Sequence, residues 1–377
     1  MPQSTVRPEP LRVAMIAFPD NHHTRRWSRA LAAEGMKVDV VGVTADDPCA
    51  PDGSTQSVKE PVVPVISAAT RWHRAIARLN PDVVYMQWLF ARPAMLLALD
   101  PAWPLVTTVM GSDVQQDPTL PESVLERTCR TALLLRSQTI TAAAQPLADC
   151  VASYHPALLN HIEIVPFGVD TAQFHPATVP RHRQPGDPLR VGHFKSDDVV
   201  YGRLDLCRAL VRLQGQGVAI ELHLAGRRGN DLGAVNAFLA AHPALAACVV
   251  DHGLLDVDAI AAVYRQIDVY VMNSQQESFG VAAAEAMASG VPVVGSDVGG
   301  VRALVRSGDT GLLVKAGDPV ALAEALGEFA RYPHLATSCG ERGRARVQAH
   351  FEWRDSVTRM AELLRAAAGT QRVSSAA

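Results

Sequence analysis

Lysine is scarce in this chain: Lys37, Lys59, Lys195 and Lys315 stand against 31 arginines. With abundant alanine and proline, that bias suggests a GC-rich bacterial genome. It says little of function, but it makes each lysine worth locating. The six cysteines never fall closer than 21 positions apart, so no C-x-x-C pair or zinc-ligand spacing exists. Scattered cysteines in a long chain suit reduced thiols in the cytosol, not a disulfide framework. No apolar run approaches the roughly 18–20 residues that crossing a bilayer takes. The opening MPQSTVRPEP is polar and proline-rich, unlike a secretory signal. A net charge of −3 and a pI near 6.5 remove the electrostatic case for nucleic acid. No G-x-G-x-x-G follows the first strand, which argues against a nicotinamide enzyme. The expectation is a cytoplasmic protein with no metal site.

What is present is enough for two cores: 377 residues, 48% of them hydrophobic. LRVAMIAFP (Leu11–Pro19) reads as a buried strand, TRRWSRALAAEGM as a helix and KVDVVGV as a second strand, a βαβ unit. The helix RWHRAIARLN and the strands PDVVYMQW, PLVTTVM, TITAA and IEIVPF extend the series. A proline-rich stretch, residues 176–188, reads as a linker. A second series follows: LRVGHF, AIELHLAG, CVVDHG, VDVYVMNS, PVVGSD and GLLVK, with helices between. The expected organisation is a disordered tail (1–10), a Rossmann-like domain (11–175) and the linker. A second Rossmann-like domain (189–350), a helix returning to the first domain (351–370) and a short disordered tail (371–377) complete it. Two doubly wound α/β domains would face a central cleft at the carboxyl ends of their strands, where ligands of open sheets sit.

The most informative stretch is QQESFGVAAAEAMASGVPVV, Gln275–Val294. Gln275–Ser278 fall in the loop after a buried strand, and VAAAEAMAS is a strong helix former. Glu277 therefore sits at the helix entry, with Glu285 about two turns along. A helix start attracts anions. Carboxylates beside it repel phosphate and suit hydrogen bonds from sugar hydroxyls. The plainer readings are a helix N-terminal acid for Glu277 and a solvated helix residue for Glu285.

These residues carry a resemblance. ESFGVAAAE is similar to the E-x7-E signature of retaining glycosyltransferases of family 4, which have the two-domain GT-B fold. IVPFGVDTAQFHP, GVPVVGSDVGGV, DTGLLVKAGDPVALAEAL and TVMGSD resemble further family segments in the same order. The resemblance implies that Glu277 lies beside the donor sugar's hydroxyls and that Glu285 holds the ribose. Ser278 and the backbone amides of Phe279, Gly280 and Val281 would face sugar or diphosphate.

VGHFKSDDVVYG (Val191–Gly202) departs from the family pattern. His193 and Tyr201 stand where many members carry an arginine after Gly192 and a lysine before the later glycine. Lys195 is the cation this loop retains and is assigned to the leaving diphosphate, with a surface lysine as the alternative. Arg227 in GRRG is a second candidate, and a solvated pair is the rival reading. On the acceptor side, Met110 replaces a familiar histidine before Gly-Ser-Asp, and His22 or His23 are candidate substitutes. Asp113 binds acceptor or sugar, or caps a helix. Arg25, Arg26 and Arg29 with Trp27, and Arg71, Arg74 and Arg78 with Trp72, offer a basic aromatic face to a membrane. Solvated arginine stems are the favoured alternative.

The resemblance implies transfer of a hexosyl group, with retention and without metal or cofactor, from a nucleotide-diphosphate sugar to an acceptor hydroxyl. UDP is preferred over GDP on family prevalence. The acceptor is a glycan, a lipid or a small natural product. The rivals are a GT-B epimerase or phosphorylase and a nucleotide-sugar-binding module without catalysis.

Overall fold

The computed structural model describes residues 9–42, 62–90, 94–115, 123–178, 183–184 and 186–374. The chain divides into two compact units, residues 1–165 with 357–377, and residues 166–356.

The first unit is built on β1 (Arg12–Ala17), β2 (Lys37–Gly42), β3 (Val83–Gln87), β4 (Leu105–Val109), β5 (Thr139–Ala142) and β6 (Ile162–Ile164). All six pair in parallel in the order β2-β1-β3-β4-β5-β6. β3 and β4 are buried along their whole length, as strands covered on both faces must be. Ile16, Val84, Met86 and Ile140 pack with Trp72 and Ile76 in one core. Each such side chain contributes about 1.5–3 kcal/mol on full burial. Trp27 and Trp72 are both 3% exposed. The aromatic half of the membrane-facing reading is therefore spent on the core, and the plainer reading of those arginines fits.

The second unit is built on β7 (Leu189–His193), β8 (Ile220–Leu224), β9 (Val249–Asp251), β10 (Val269–Met272), β11 (Val293–Ser296) and β12 (Gly311–Val314). Its order is β12-β11-β10-β7-β8-β9, again all parallel. Val191, Leu206, Leu210, Leu222, Val271 and Phe329 share its core.

Three boundaries differ from the sequence expectation. The helix read from Arg71 begins at Val62, and Asn80 ends it at φ 44°. The last helix runs Trp353–Ser374, past the stop expected at residue 370, and residues 375–377 lie outside the described set. The proline-rich segment 176–188 falls inside the second unit, and residues 179–182 and 185 of it are outside the described residues. The initial and cysteine expectations at residues 1–8 and Cys49 also lie outside them. The other five cysteines are free thiols. Among the described residues no helix is long and apolar enough to cross a membrane.

Candidate functional site

In an open parallel sheet the ligand crevice forms where the strand order reverses direction, because there the two neighbouring loops turn to opposite faces. In the second unit that point lies between β7 and β10. Lys195 follows β7 and Glu277 follows β10, and their side chains meet: Lys195 Nζ donates to Glu277 Oε2 at 2.9 Å. The side chains are 17% and 12% exposed. Two residues separated by 82 positions, each chosen from sequence for charge, are thus brought together by topology. Lys195 Nζ also lies 4.2 Å from the Tyr201 ring centroid. Burial opposes the ammonium. Glu277, Tyr201 and Glu285 outweigh it and hold Lys195 above the usual lysine range.

Close backbone approaches set both partners. A Cβ on Gly300 would fall 2.3 Å from Phe279 Cα and 2.5 Å from the Ser278 carbonyl carbon. Only glycine lets this turn press on the Glu277 loop, and Gly300 N donates to Glu277 O at 2.8 Å. Gly226, at φ +139°, does the same beneath Lys195, whose carbonyl oxygen lies 2.3 Å from where a Cβ would stand.

Glu285 lies in the helix Val281–Ala288, which Gly280 caps at φ 95°. It is half-buried, and the Tyr264 hydroxyl approaches it at 3.2 Å while donating to the Ala282 carbonyl at 2.8 Å. Burial and then the Glu285 carboxylate hold the Tyr264 phenol well above its ordinary range, so it remains a donor. The solvated-helix reading of Glu285 does not fit. The Phe279 side chain is 1% exposed and packs edge-on against Phe167 and Phe351. What Phe279 offers a ligand is therefore backbone, as for Gly280 and Val281. Gly192 lies in β7 beneath Phe194 and Ile267. The Arg227 side chain is exposed, and its carbonyl accepts from Asp197 N at 3.1 Å. Its neighbour Arg228 bonds Asp251 at 2.8 Å.

His193, at the arginine's place in the family pattern, is no substitute cation. It is fully buried and donates through Nδ1 to the Val271 carbonyl at 3.2 Å, leaving Nε2 unpartnered. Burial, and then the Arg203 charge, push its pKa down to about 3. The unfolded chain takes up the proton near pH 6.5 and the folded chain does not. Stability from this group therefore falls as pH drops from 6.5 toward 3, by about 1.4 kcal/mol per unit. Urea unfolding at pH 6.5 and 5.0 should show this loss, and His193→Asn should flatten it. Equal slopes for both proteins would contradict the assignment.

In the first unit the reversal lies between β1 and β3. The helix read from Thr24 begins two residues earlier: His22 and His23 open the helix His22–Ala33, because Asn21 caps it by accepting from His23 N at 2.8 Å. Their rings stand 3.8 Å apart. Partial burial, then the Arg26 charge, lower His22 from its ordinary value. The bridge across this reversal is neutral: Thr24 Oγ1 donates to Gln87 Oε1 at 3.0 Å. Asp113 is taken up by backbone. Its carboxylate accepts from Leu89 N and Gly111 N at 2.8 Å and from Met110 N at 3.0 Å, stitching the loops after β3 and β4. Burial raises its pKa against the pull of those amides. Its carboxylate is thus fixed by backbone amides while remaining only partly buried, and it caps no described helix.

Sequence reading missed Tyr264, Arg203 and Trp88. Tyr264 had no spacing to mark it. Arg203 directly follows Gly202 at a helix start, a visible signal. Trp88 directly follows β3 at φ 73°, a conformation uncommon for a bulky residue, and packs edge-on against Phe18 at 5.2 Å.

The chain matches two family models, described as Glycosyltransferase Family 4 over residues 21–173 and Glycosyl transferases group 1 over residues 189–331. It is 27% identical to glycogen synthase of Mycobacterium tuberculosis over 92% of this chain and 90% of that protein. Among solved structures, sucrose-phosphate synthase from Thermosynechococcus elongatus aligns with a TM-score of 0.76 at 22% identity, covering 94% of this chain and 98% of that one. Anabaena HepE in complex with UDP and glucose aligns at 0.70 and 17% identity, covering 94% and 100%. With matched segments in both units and two parallel six-stranded sheets, the chain is a glycosyltransferase of the GT-B fold.

Proposed function

We propose that this glycosyltransferase moves a hexosyl group from a nucleotide-diphosphate sugar to an acceptor hydroxyl with retention at the anomeric carbon. The observation that carries the reading is the Lys195–Glu277 pair at the β7/β10 reversal. A largely shielded cation and a hydrogen-bond-accepting carboxylate meet at the kind of reversal where open α/β sheets bind nucleotides, which supports the reading. UDP is the favoured nucleotide, since the Anabaena protein of like fold was solved with UDP and glucose.

In this reading Lys195 and the first amides of the helix Val281–Ala288 meet the diphosphate, Glu277 accepts from the sugar hydroxyls and Glu285 from the ribose. Negative charge grows on the phosphate oxygen as the bond from the anomeric carbon to it breaks. Fixed positive charge aimed there is the main source of acceleration. The acceptor oxygen attacks on the same face, and the departing phosphate oxygen takes its proton, so no protein base is needed. The site's own cation makes the reaction metal-independent. His22, His23 and Met110 are assigned to the acceptor, held in a frame that Asp113 ties together.

Thermal unfolding with UDP, GDP, ADP and their sugars tests the donor. One nucleotide and its sugar should stabilise the protein, by about 2.7 kcal/mol at a hundredfold excess over Kd. Transfer to a glycan acceptor should then yield a product with the donor's anomeric configuration by NMR, at a rate unchanged by EDTA. Inverted product, or no stabilisation by any nucleotide sugar, would overturn the reading. Isomerised donor without acceptor would indicate an epimerase instead.

A further inference from the structure

The pair that marks the donor site also obstructs it. A diphosphate seeking Lys195 finds its Nζ already bonded to Glu277, and Glu277 is anchored: its carbonyl is held by Gly300 N at 2.8 Å. Only the carboxylate can swing. A carboxylate left beside a diphosphate is repelled by it, and being largely shielded from water it must find hydrogen-bond donors elsewhere. Sugar hydroxyls supply those donors, whereas a bare nucleoside diphosphate brings negative charge and no hydroxyls at that position.

We propose that donor binding exchanges the Lys195–Glu277 ion pair for two new pairings, ammonium with diphosphate and carboxylate with sugar hydroxyls. The site thereby favours the intact nucleotide sugar over the nucleoside diphosphate left after transfer. The proposal rests on the donor reading above and deepens it. Once the sugar has left, Glu277 loses its hydroxyl partners and recaptures Lys195, which loosens the spent nucleotide. The resting charge of the pair is balanced, so the empty site holds neither an unpaired buried cation nor an unpaired carboxylate. The Tyr201 ring, 4.2 Å from Nζ, keeps the ammonium in place through the exchange.

Calorimetric titration at fixed salt tests this with wild type, Glu277→Gln, Lys195→Met and the double variant. The probes are inorganic pyrophosphate, UDP, GDP, ADP and the matching nucleotide sugars. Wild type should bind the nucleotide sugar more tightly than its nucleoside diphosphate. Glu277→Gln should bind pyrophosphate and the nucleoside diphosphate about tenfold more tightly than wild type, and the nucleotide sugar less tightly. In the Lys195→Met background the same change should alter diphosphate binding by less than about threefold. Equal tightening with and without Lys195 would mean simple charge repulsion and would overturn the exchange. So would unchanged or weaker diphosphate binding by Glu277→Gln. If wild type binds none of the probes, the donor reading fails and the exchange fails with it.

Discussion

Lys195→Met should lower kcat/KM for the nucleotide sugar by about 10²–10³-fold, the loss expected when one preorganised charge at a developing anion is removed. Methionine keeps the unbranched stem, so what is lost is the ammonium, and with it the contact over the Tyr201 ring. Arg203 is committed to Asp197 and to the Lys195 carbonyl, Arg227 is exposed and Arg228 is spent on Asp251. Neither Arg203 nor Arg228 is free to take over. His193 remains neutral at physiological pH, so it offers no replacement cation. Glu277 is then left largely buried without its partner, and the melting temperature should fall modestly. Steady-state rates with donor varied at saturating acceptor, read beside thermal unfolding, separate the two effects. A folded variant with near wild-type kcat/KM would remove Lys195 from the reaction. Raised salt should not mimic the variant, because a shielded pair is poorly screened.

The sheets were legible because parallel strands covered on both faces must be written as apolar runs. VVYMQ and VYVM show this, and both lie fully buried. Legible, too, was the scarcity that singled out Lys195. The meeting of Lys195 with Glu277 was not, since nothing local encodes a strand order that sets β7 beside β10. Glycines were visible as letters, but their purpose depends on what approaches them: Gly300 matters because the Glu277 loop rests on it. For Asp113 the letters could not show the amides that fix its carboxylate, because they come from the loops after two different strands. The first helix was read two residues late, from Thr24, because its cap, Asn21, sits within a stretch that reads as continuous loop. The two units also differ in a way no motif announces. Across one strand-order reversal the bridge is Thr24 to Gln87, uncharged; across the other it is an ion pair.

Arg203→Met should destabilise the protein by about 3–5 kcal/mol, the usual result of leaving a buried charge alone. Arg203 is 3% exposed and Asp197 1% exposed, and the guanidinium bonds both the Asp197 carboxylate and the Lys195 carbonyl. Among the described residues the other Asp197 oxygen has no hydrogen-bond partner, and Arg228 stands 3.6 Å away on a side chain 60% exposed to water. Water screens that contact, so it cannot hold a buried carboxylate by itself. Asp197 also links the loops after β7 and β8 through its backbone, donating to Arg227 O and accepting from Asp231 N. The segment carrying Lys195 should therefore loosen as stability falls, and diphosphate binding should weaken with it. Removing both charges tests whether the orphaned carboxylate is the cause. Arg203→Met with Asp197→Leu should regain most of the stability in urea unfolding, since no charge is stranded. Donor affinity should stay low, because the Lys195 carbonyl has still lost its donor. A single variant that loses less than about 1 kcal/mol would mean that water reaches Asp197, and the pair could not then be what holds the Lys195 loop.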